Sequence, residues 1–182
     1  LPHSPSQAKA WQEFRKVVKV INPQCFILAE TWRENREMLR GDQMDSVMNY
    51  LFRDAVVDFF AKKRITPDQF DARINRILGV YPTITHLSLY NLLGSHDTAR
   101  FLTLCQEDHR ILKAASAFQL CFPGIAGIYY GDEIGLAGEN DPDCRRAMDW
   151  APSNAHMALY NWYQRLIALR KTLKPLRFGS FA

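Results

Sequence analysis

The stretch Leu87-Ser-Leu-Tyr-Asn-Leu-Leu-Gly-Ser-His-Asp-Thr-Ala-Arg100 joins an apolar run to a cluster of ionisable side chains. Residues 87–93 are mostly apolar and long enough for one buried strand. Gly and Ser at 94–95 interrupt the run, and ionisable side chains follow at once at His96, Asp97 and Arg100. A strand that presents such groups at its carboxyl end fits the mouth of an α/β barrel. The same composition also fits a helix N-cap, so both interpretations stay open at this point.

Composition indicates an ordinary soluble domain. The chain has 182 residues, fewer than the about 250 of a usual eight-stranded barrel. Its hydrophobic content of 47% and charged content of 23% are typical of globular proteins. The net charge of +4 comes without a dense basic block, and no apolar run reaches membrane-spanning length. We therefore expect no nucleic-acid partner and no membrane partner.

The four cysteines do not form a recognisable ligand pattern. None belongs to a C-x-x-C pair, and no histidine stands beside them at ligand spacing, so we expect no metal site. Cys25 and Cys121 lie in apolar runs, which predicts buried free thiols and a reducing compartment such as the cytoplasm. No G-x-G-x-x-G and no P-loop are present, so we expect no cofactor.

Predicted strands alternate with predicted helices along the whole chain. The continuous apolar run at 25–29 predicts a strand buried on both faces, and three further strands are predicted over 46–50, 87–93 and 126–130. Helical spacing of apolar residues predicts helices over 6–21, 55–60, 66–78, 107–121 and 157–173. This alternation predicts right-handed β-α-β crossovers and a parallel sheet. Half of an eightfold barrel and a small doubly wound sheet are both compatible with it.

Two carboxylates follow different predicted strands. Glu30 and Asp97 would meet at one mouth in a barrel, and paired carboxylates suit glycoside hydrolysis. Trp32 either stacks on a sugar or packs in the core, and apolar surroundings would favour the protonated form of Glu30. His96 could donate to a substrate hydroxyl, and Arg100 could orient a carboxylate through a bidentate pair. Binding of a divalent metal is the alternative chemistry, although a second strand-end histidine is missing.

Several segments together resemble the α-amylase family of glycoside hydrolases. Asn91–Arg100 resembles the fourth conserved region of that family, and Ile27–Trp32 resembles the third. Gly124–Leu136 resembles the segment of the eighth barrel strand. Asn140–Arg146 and Met148–Trp150 are most similar to the neopullulanase, cyclomaltodextrinase and maltogenic amylase group.

The resemblance implies a fold and roles for individual residues. Residues 1–175 are expected to form the C-terminal half, strands 5–8, of a (β/α)8 TIM barrel, an α/β fold. Residues 176–182 are expected to begin a truncated C-terminal β domain. Glu30 matches the general acid/base, Asp97 the carboxylate that stabilises the transition state, and His96 its neighbour on a substrate hydroxyl.

One expected catalytic group is missing. The family places its nucleophile, an aspartate, at the end of the fourth strand, shortly before the segment that resembles residues 11–30. No aspartate precedes Asp42 in this chain. A retaining mechanism needs that nucleophile to form its glycosyl intermediate. We therefore expect the parent protein to hydrolyse α-glucans such as cyclodextrin, pullulan or maltodextrin, and this chain by itself to be inactive.

The sequence is also compatible with two other functions, and it predicts association of the chain. The chain could be a catalytically silent amylase-like binding scaffold, or a metal-dependent α/β enzyme. A half barrel would leave strand edges unpaired, and unpaired edges favour association. We therefore expect a homo-oligomer.

Overall fold

The computed structural model describes residues 5–151, 154–179 and 181, and in this part of the chain short parallel strands alternate with helices. The strands are β1 (Leu28–Ala29), β2 (Ser46–Val47), β3 (Tyr90–Leu92) and β4 (Ile125–Gly127). The α-helices are α1 (Pro5–Ile21), α2 (Tyr50–Val56), α3 (Pro67–Val80), α4 (Phe101–Leu104), α5 (His109–Cys121), α6 (Asn154–Thr172) and α7 (Pro175–Phe178). A π-helical turn at Val57–Ala61 extends α2.

The four strands lie side by side in chain order, all parallel. Leu28 of β1 is opposite Ser46 of β2, and Tyr90 of β3 is opposite Ile125 of β4. A parallel bridge between Met48 and Tyr90 joins the two pairs. A doubly wound sheet reverses its strand order at a switch point, whereas a barrel keeps the order of the chain. The arrangement is therefore the one expected of a barrel segment.

The ladders are shorter than the sequence predicts, most clearly in the second strand. The prediction of a strand through Tyr50 is wrong, because the Asn49 side chain accepts a hydrogen bond from the Phe52 backbone N–H and caps α2. Because of this cap, the helix starts at Tyr50 and the extended backbone ends before that residue. A tyrosine predicted in a strand thus lies in the first turn of a helix.

The first strand is buried on one side only, which corrects the prediction of burial on both faces. Ile27 and Ala29 are buried, whereas Phe26 and Leu28 are 47% and 37% exposed. In the described chain, β1 pairs with β2 alone. A groove of about 470 Å³ separates β1 from α1, and it is lined mainly by Trp11, Phe14, Val18, Met38, Met44 and residues 25–30.

Capping side chains mark the starts of α3 and α5. Thr66 and Gln69 form a reciprocal capping box at α3, with Pro67 in the first turn. The Asp108 side chain caps α5 by accepting from the Arg110 N–H. The hydrophobic core joins side chains of α2, α3, α4, α5 and α6, among them Phe52, Ile74, Phe101, Leu112 and Leu159.

The cysteines are all free, but the predicted ones are not the buried ones. Cys121 is exposed and Cys25 is half-buried, whereas Cys105 and Cys144 are buried. The reason for Cys121 is helical phase: the buried face of α5 passes through Ser116 and Gln119 to Leu120, which turns Cys121 outwards.

A short helix lies near the end of the described chain. Pro175–Phe178 form α7, with proline in its first turn. The boundary at residue 175 and the C-terminal β domain stay predictions, and Ser180 and Ala182 lie outside the described residues. Among the described residues, no helix combines the length and the apolar character needed to cross a membrane.

Candidate active site

The carboxyl ends of β1 and β3 bring three predicted site residues together. Glu30 follows β1 directly, and His96 and Asp97 lie in the loop after β3. The His96 Nε2 atom lies 3.4 Å from Glu30 Oε1 and 3.3 Å from Asp97 Oδ2. One imidazole therefore stands between two carboxylates that come from different strands, as the strand-end argument predicts.

These three side chains are accessible to a ligand. Their exposed fractions are 45% for Glu30, 41% for His96 and 35% for Asp97. Glu30 also lies on the rim of the groove between α1 and β1. The apolar enclosure expected around Glu30 is not present among the described residues, because its side chain opens to solvent.

Trp32 and Tyr50 form a stacked aromatic pair beside the carboxylates. Their rings stack with centroids 4.1 Å apart and planes inclined by 20°. Trp32 is 52% exposed, so packing in the core is excluded for it. Tyr50 is buried, and its hydroxyl lies 2.9 Å from Ser95 Oγ, which in turn accepts from the Asp97 backbone N–H. Burial raises the pKa of Tyr50, and the nearby charges of Glu30 and Asp97 raise it further.

Arg145 completes the site on the far side of Asp97. Its Nη2 atom lies 3.2 Å from Asp97 Oδ1, and its Nε donates to the His96 carbonyl at 3.0 Å. Asp141 Oδ1 lies 2.7 Å from the same Nε. The structure places Arg145 on Asp97, whereas Arg146 pairs with a carboxylate of its own turn.

Arg100 is not available to a substrate, which corrects its prediction as a substrate-binding residue. Its side chain is 0% exposed. Its Nε donates to the Cys144 carbonyl at 2.8 Å, and its Nη1 donates to the Tyr130 carbonyl and to Asp132 Oδ1. The guanidinium also lies 4.1 Å from the Tyr129 ring centroid and 4.6 Å from that of Tyr130. The guanidinium that was expected to orient a ligand is therefore hydrogen-bonded within the protein itself.

Sequence reasoning missed two of these partners for identifiable reasons. Tyr50 was assigned to a strand, and the signal that corrects it is Asn49, a residue type favoured at helix N-caps. Arg145 lies in a loop far along the chain from Asp97, so no local pattern reports their contact.

The same three side chains could also hold a metal ion. In the described part of the chain, Glu30, His96 and Asp97 form the cluster whose potential ligand atoms all lie within 4.8 Å of one another. Zinc bonds of about 2.0–2.2 Å fit a nitrogen and oxygens at such spacing. The trio therefore suits both acid–base chemistry and coordination of a divalent ion.

Comparison with known proteins identifies the family of the chain. The family model of the alpha amylase catalytic domain matches residues 2–156. A cyclomaltodextrinase of Thermoanaerobacter pseudethanolicus is 46% identical over 94% of this chain and 30% of its own length. Neopullulanase 2 of Thermoactinomyces vulgaris is also 46% identical, over 93% of this chain and 29% of its own length. The chain thus spans less than a third of these relatives.

A solved structure extends the similarity to the fold. The ligand-free cyclic α-maltosyl-(1→6)-maltose hydrolase from Arthrobacter globiformis superposes with a TM-score of 0.90 and 36% identity. The match covers 95% of this chain and 39% of that protein. The fold is accordingly that of part of a (β/α)8 barrel. Because the family model matches well over half of the chain, the chain belongs to the alpha-amylase family, within its catalytic domain.

Proposed function

We propose that the parent protein is a retaining hydrolase of α-glucans and that this chain supplies two of its three catalytic groups. The observation that carries the proposal is the convergence of Glu30 and Asp97 on His96, in a chain of this family. Cyclodextrin, pullulan and maltodextrin are the proposed substrates, in keeping with relatives named cyclomaltodextrinase and neopullulanase. The four strands are proposed to be strands 5–8 of the barrel.

Each side chain has a role that its position supports. Glu30 protonates the glycosidic oxygen and later removes a proton from the attacking water. Asp97 stabilises the positive charge that develops on the sugar, because its Oδ2 faces the site while Arg145 holds its Oδ1. His96 donates to a sugar hydroxyl, and the exposed face of Trp32 stacks on a sugar ring.

The nucleophile of this mechanism comes from outside the chain. Retaining hydrolysis needs a further carboxylate that attacks the sugar. Two aspartates of the loop after β4 have partners of their own, since Asp132 pairs with Arg100 and Asp141 with Arg145. We therefore propose that the chain alone is inactive. We also propose that the parent protein is cytoplasmic and homo-oligomeric, with residues 1–175 in the second half of the barrel.

The test is sugar release from cyclodextrin, pullulan and maltotriose by two forms of the protein. The 182-residue chain should release none. A protein carrying the complete barrel should be active, and Glu30→Gln should lower its rate about 10³-fold, because a general acid contributes about 10²–10⁴-fold. Glu34→Gln is the matched control, since Glu34 lies 3.5 Å from Arg76 on the outside and should be neutral. Undiminished activity of the Glu30→Gln protein would refute the assignment.

The metal-binding geometry supports a second candidate function, a metal-dependent enzyme, which the same assay can test. Loss of activity with a chelator, and its return with a divalent ion, would favour a metal-dependent enzyme using Glu30, His96 and Asp97. The proposed mechanism predicts that a chelator leaves the rate of sugar release unchanged. A complete barrel that binds maltotriose without cleaving it would instead indicate a silent scaffold.

A further inference from the structure

We propose that Arg100 is a positioning residue, whose buried guanidinium holds Arg145 in place and thereby orients Asp97 and His96. The inference deepens the proposed function and rests on it for its catalytic consequence. Its structural part concerns the contact between two loops and can be tested on this chain alone.

Arg100 fastens the loop after β3 to the loop after β4 at separate points. Residues 93–100 form the first segment, called here the β3 loop, and residues 128–151 form the second, called the β4 loop. The Arg100 backbone N–H donates to the Gly138 carbonyl at 2.9 Å. Its side chain donates to the carbonyls of Tyr130 and Cys144. One residue of the β3 loop therefore fixes the beginning, the middle and a late part of the β4 loop.

The hydrogen bond to the Cys144 carbonyl connects Arg100 to the candidate site. The Cys144 carbonyl belongs to the peptide bond that leads directly into Arg145. Cys144 Sγ donates to the His96 carbonyl at 3.0 Å, and Arg145 Nε donates to the same oxygen at 3.0 Å. Arg145 Nη2 then reaches Asp97 Oδ1. A shift of the 144–145 peptide would consequently move the groups that hold both His96 and Asp97.

The surroundings of Arg100 require a guanidinium in particular. Nε and Nη1 serve acceptors in different directions, and the plane of the group lies against the rings of Tyr129 and Tyr130. A lysine keeps the charge, but it offers one compact ammonium instead of a rigid fork. Arg100→Lys should therefore lose at least one anchoring bond without losing the positive charge beside Asp132.

The expected catalytic effect is on the transition state. Arg145 on Oδ1 leaves Oδ2 of Asp97 facing the site, where charge develops during the reaction. A rotated carboxylate would stabilise that charge less well, while ground-state contacts to the sugar would change little. Such a loss lowers kcat and leaves KM nearly unchanged.

The first measurement follows the Arg145 Nε–H signal by NMR in the 182-residue chain. In the unsubstituted chain this proton is hydrogen-bonded, and its exchange with water should be slow. Arg100→Lys should accelerate exchange at least about tenfold, because the restraining contact opens locally. Arg170→Lys is the matched control, since Arg170 also binds backbone carbonyls, those of Leu120, Phe122 and Gly124, but lies away from Arg145. It should leave the Arg145 signal unchanged.

The second measurement uses the protein with the complete barrel. Arg100→Lys and Arg145→Lys should each lower kcat about 10- to 100-fold, as loss of supporting contacts around catalytic groups commonly does. Because both act through one contact, the double variant should lose no more than the worse single variant. Arg170→Lys combined with Arg145→Lys should instead give independent effects.

The outcomes separate this inference from the proposed function. If the Arg145 Nε–H proton exchanges at the same rate in a folded Arg100→Lys chain, the positioning role is overturned, whatever the kinetic measurements give. A complete barrel without glucanase activity overturns the proposed function, while the exchange result still decides the role of Arg100. If Arg100→Lys does not fold, Asp132→Asn removes one anchor of Arg100 instead. Faster exchange at Arg100 without any change at Arg145 then overturns the inference.

Discussion

At the scale of single residues, adjacency to a strand end predicted which side chains come together better than residue chemistry did. Glu30 and Asp97 meet because both come directly or nearly directly after parallel strands. Arg100 is an equally plausible binding group by its chemistry, but it stands immediately before α4 with its side chain turned inside. Spacing in the sequence does not encode that direction, because it depends on which neighbouring loop offers carbonyl groups.

Asp132 makes a pH-dependent contribution to stability. Burial raises the pKa of its carboxyl from 3.8 to about 7, against the attraction of Arg100. The native chain therefore holds this proton more tightly than the unfolded chain does. The free energy of unfolding should consequently fall as the pH rises through the window from 3.8 to about 7.

The measurement compares urea unfolding of the unsubstituted chain and of Asp132→Asn across that window. The variant should lack the decline, because its amide does not titrate. Glu13→Gln, an exposed position on α1, should keep the decline of the parent chain. Equal slopes in parent and Asp132→Asn chains would contradict the assignment.

At the scale of elements, capping side chains determine where helices start, and apolar spacing alone does not report those positions. The Asn49 cap shortens the second predicted strand, and the Thr66 capping box begins α3. The apolar stripe of α1 correctly predicted a helix, and Phe14 and Val17 on it are 47% and 58% exposed. Periodicity identifies the apolar side of a helix, but another element must be present to cover it.

The capping box of α3 gives an element-scale prediction. Thr66→Ala removes the side-chain oxygen that accepts from the Gln69 N–H and should lower the free energy of unfolding by about 1 kcal/mol. Urea unfolding measures the loss, and hydrogen exchange should place it in the first turn of α3. Thr83→Ala, at an exposed threonine that does not cap its turn, serves as the control. Equal losses in the two variants would show that the cap adds nothing.

At the scale of the whole molecule, the open side of the sheet lies between α1 and β1. In the described chain, β1 is paired on one edge, and apolar side chains next to it stay exposed. Val20 and Ile21 of α1 are 78% and 80% exposed, and Leu28 of β1 is 37% exposed. Unpaired strand edges beside apolar surface favour association with another chain.

Self-association of the isolated chain is therefore the expected result of sedimentation velocity over a concentration series. Val20→Lys should shift the distribution towards monomer, because it places a charge on the open face. Ile84→Lys is the control, since Ile84 is 89% exposed in a turn on another element and should change nothing. A monodisperse chain at every concentration would count against the expectation.

The sequence by itself determined the alternation of strands and helices, the parallel sheet, the family, and the pairing of Glu30 with Asp97. These features depend on local patterns, since apolar runs, caps and strand ends are written in consecutive residues. Only the tertiary structure decided the inward direction of Arg100, the position of Tyr50 and the contact of Arg145 with Asp97. Each of these depends on which distant backbone or side chain lies within hydrogen-bond reach, and that is fixed only when the loops pack against one another.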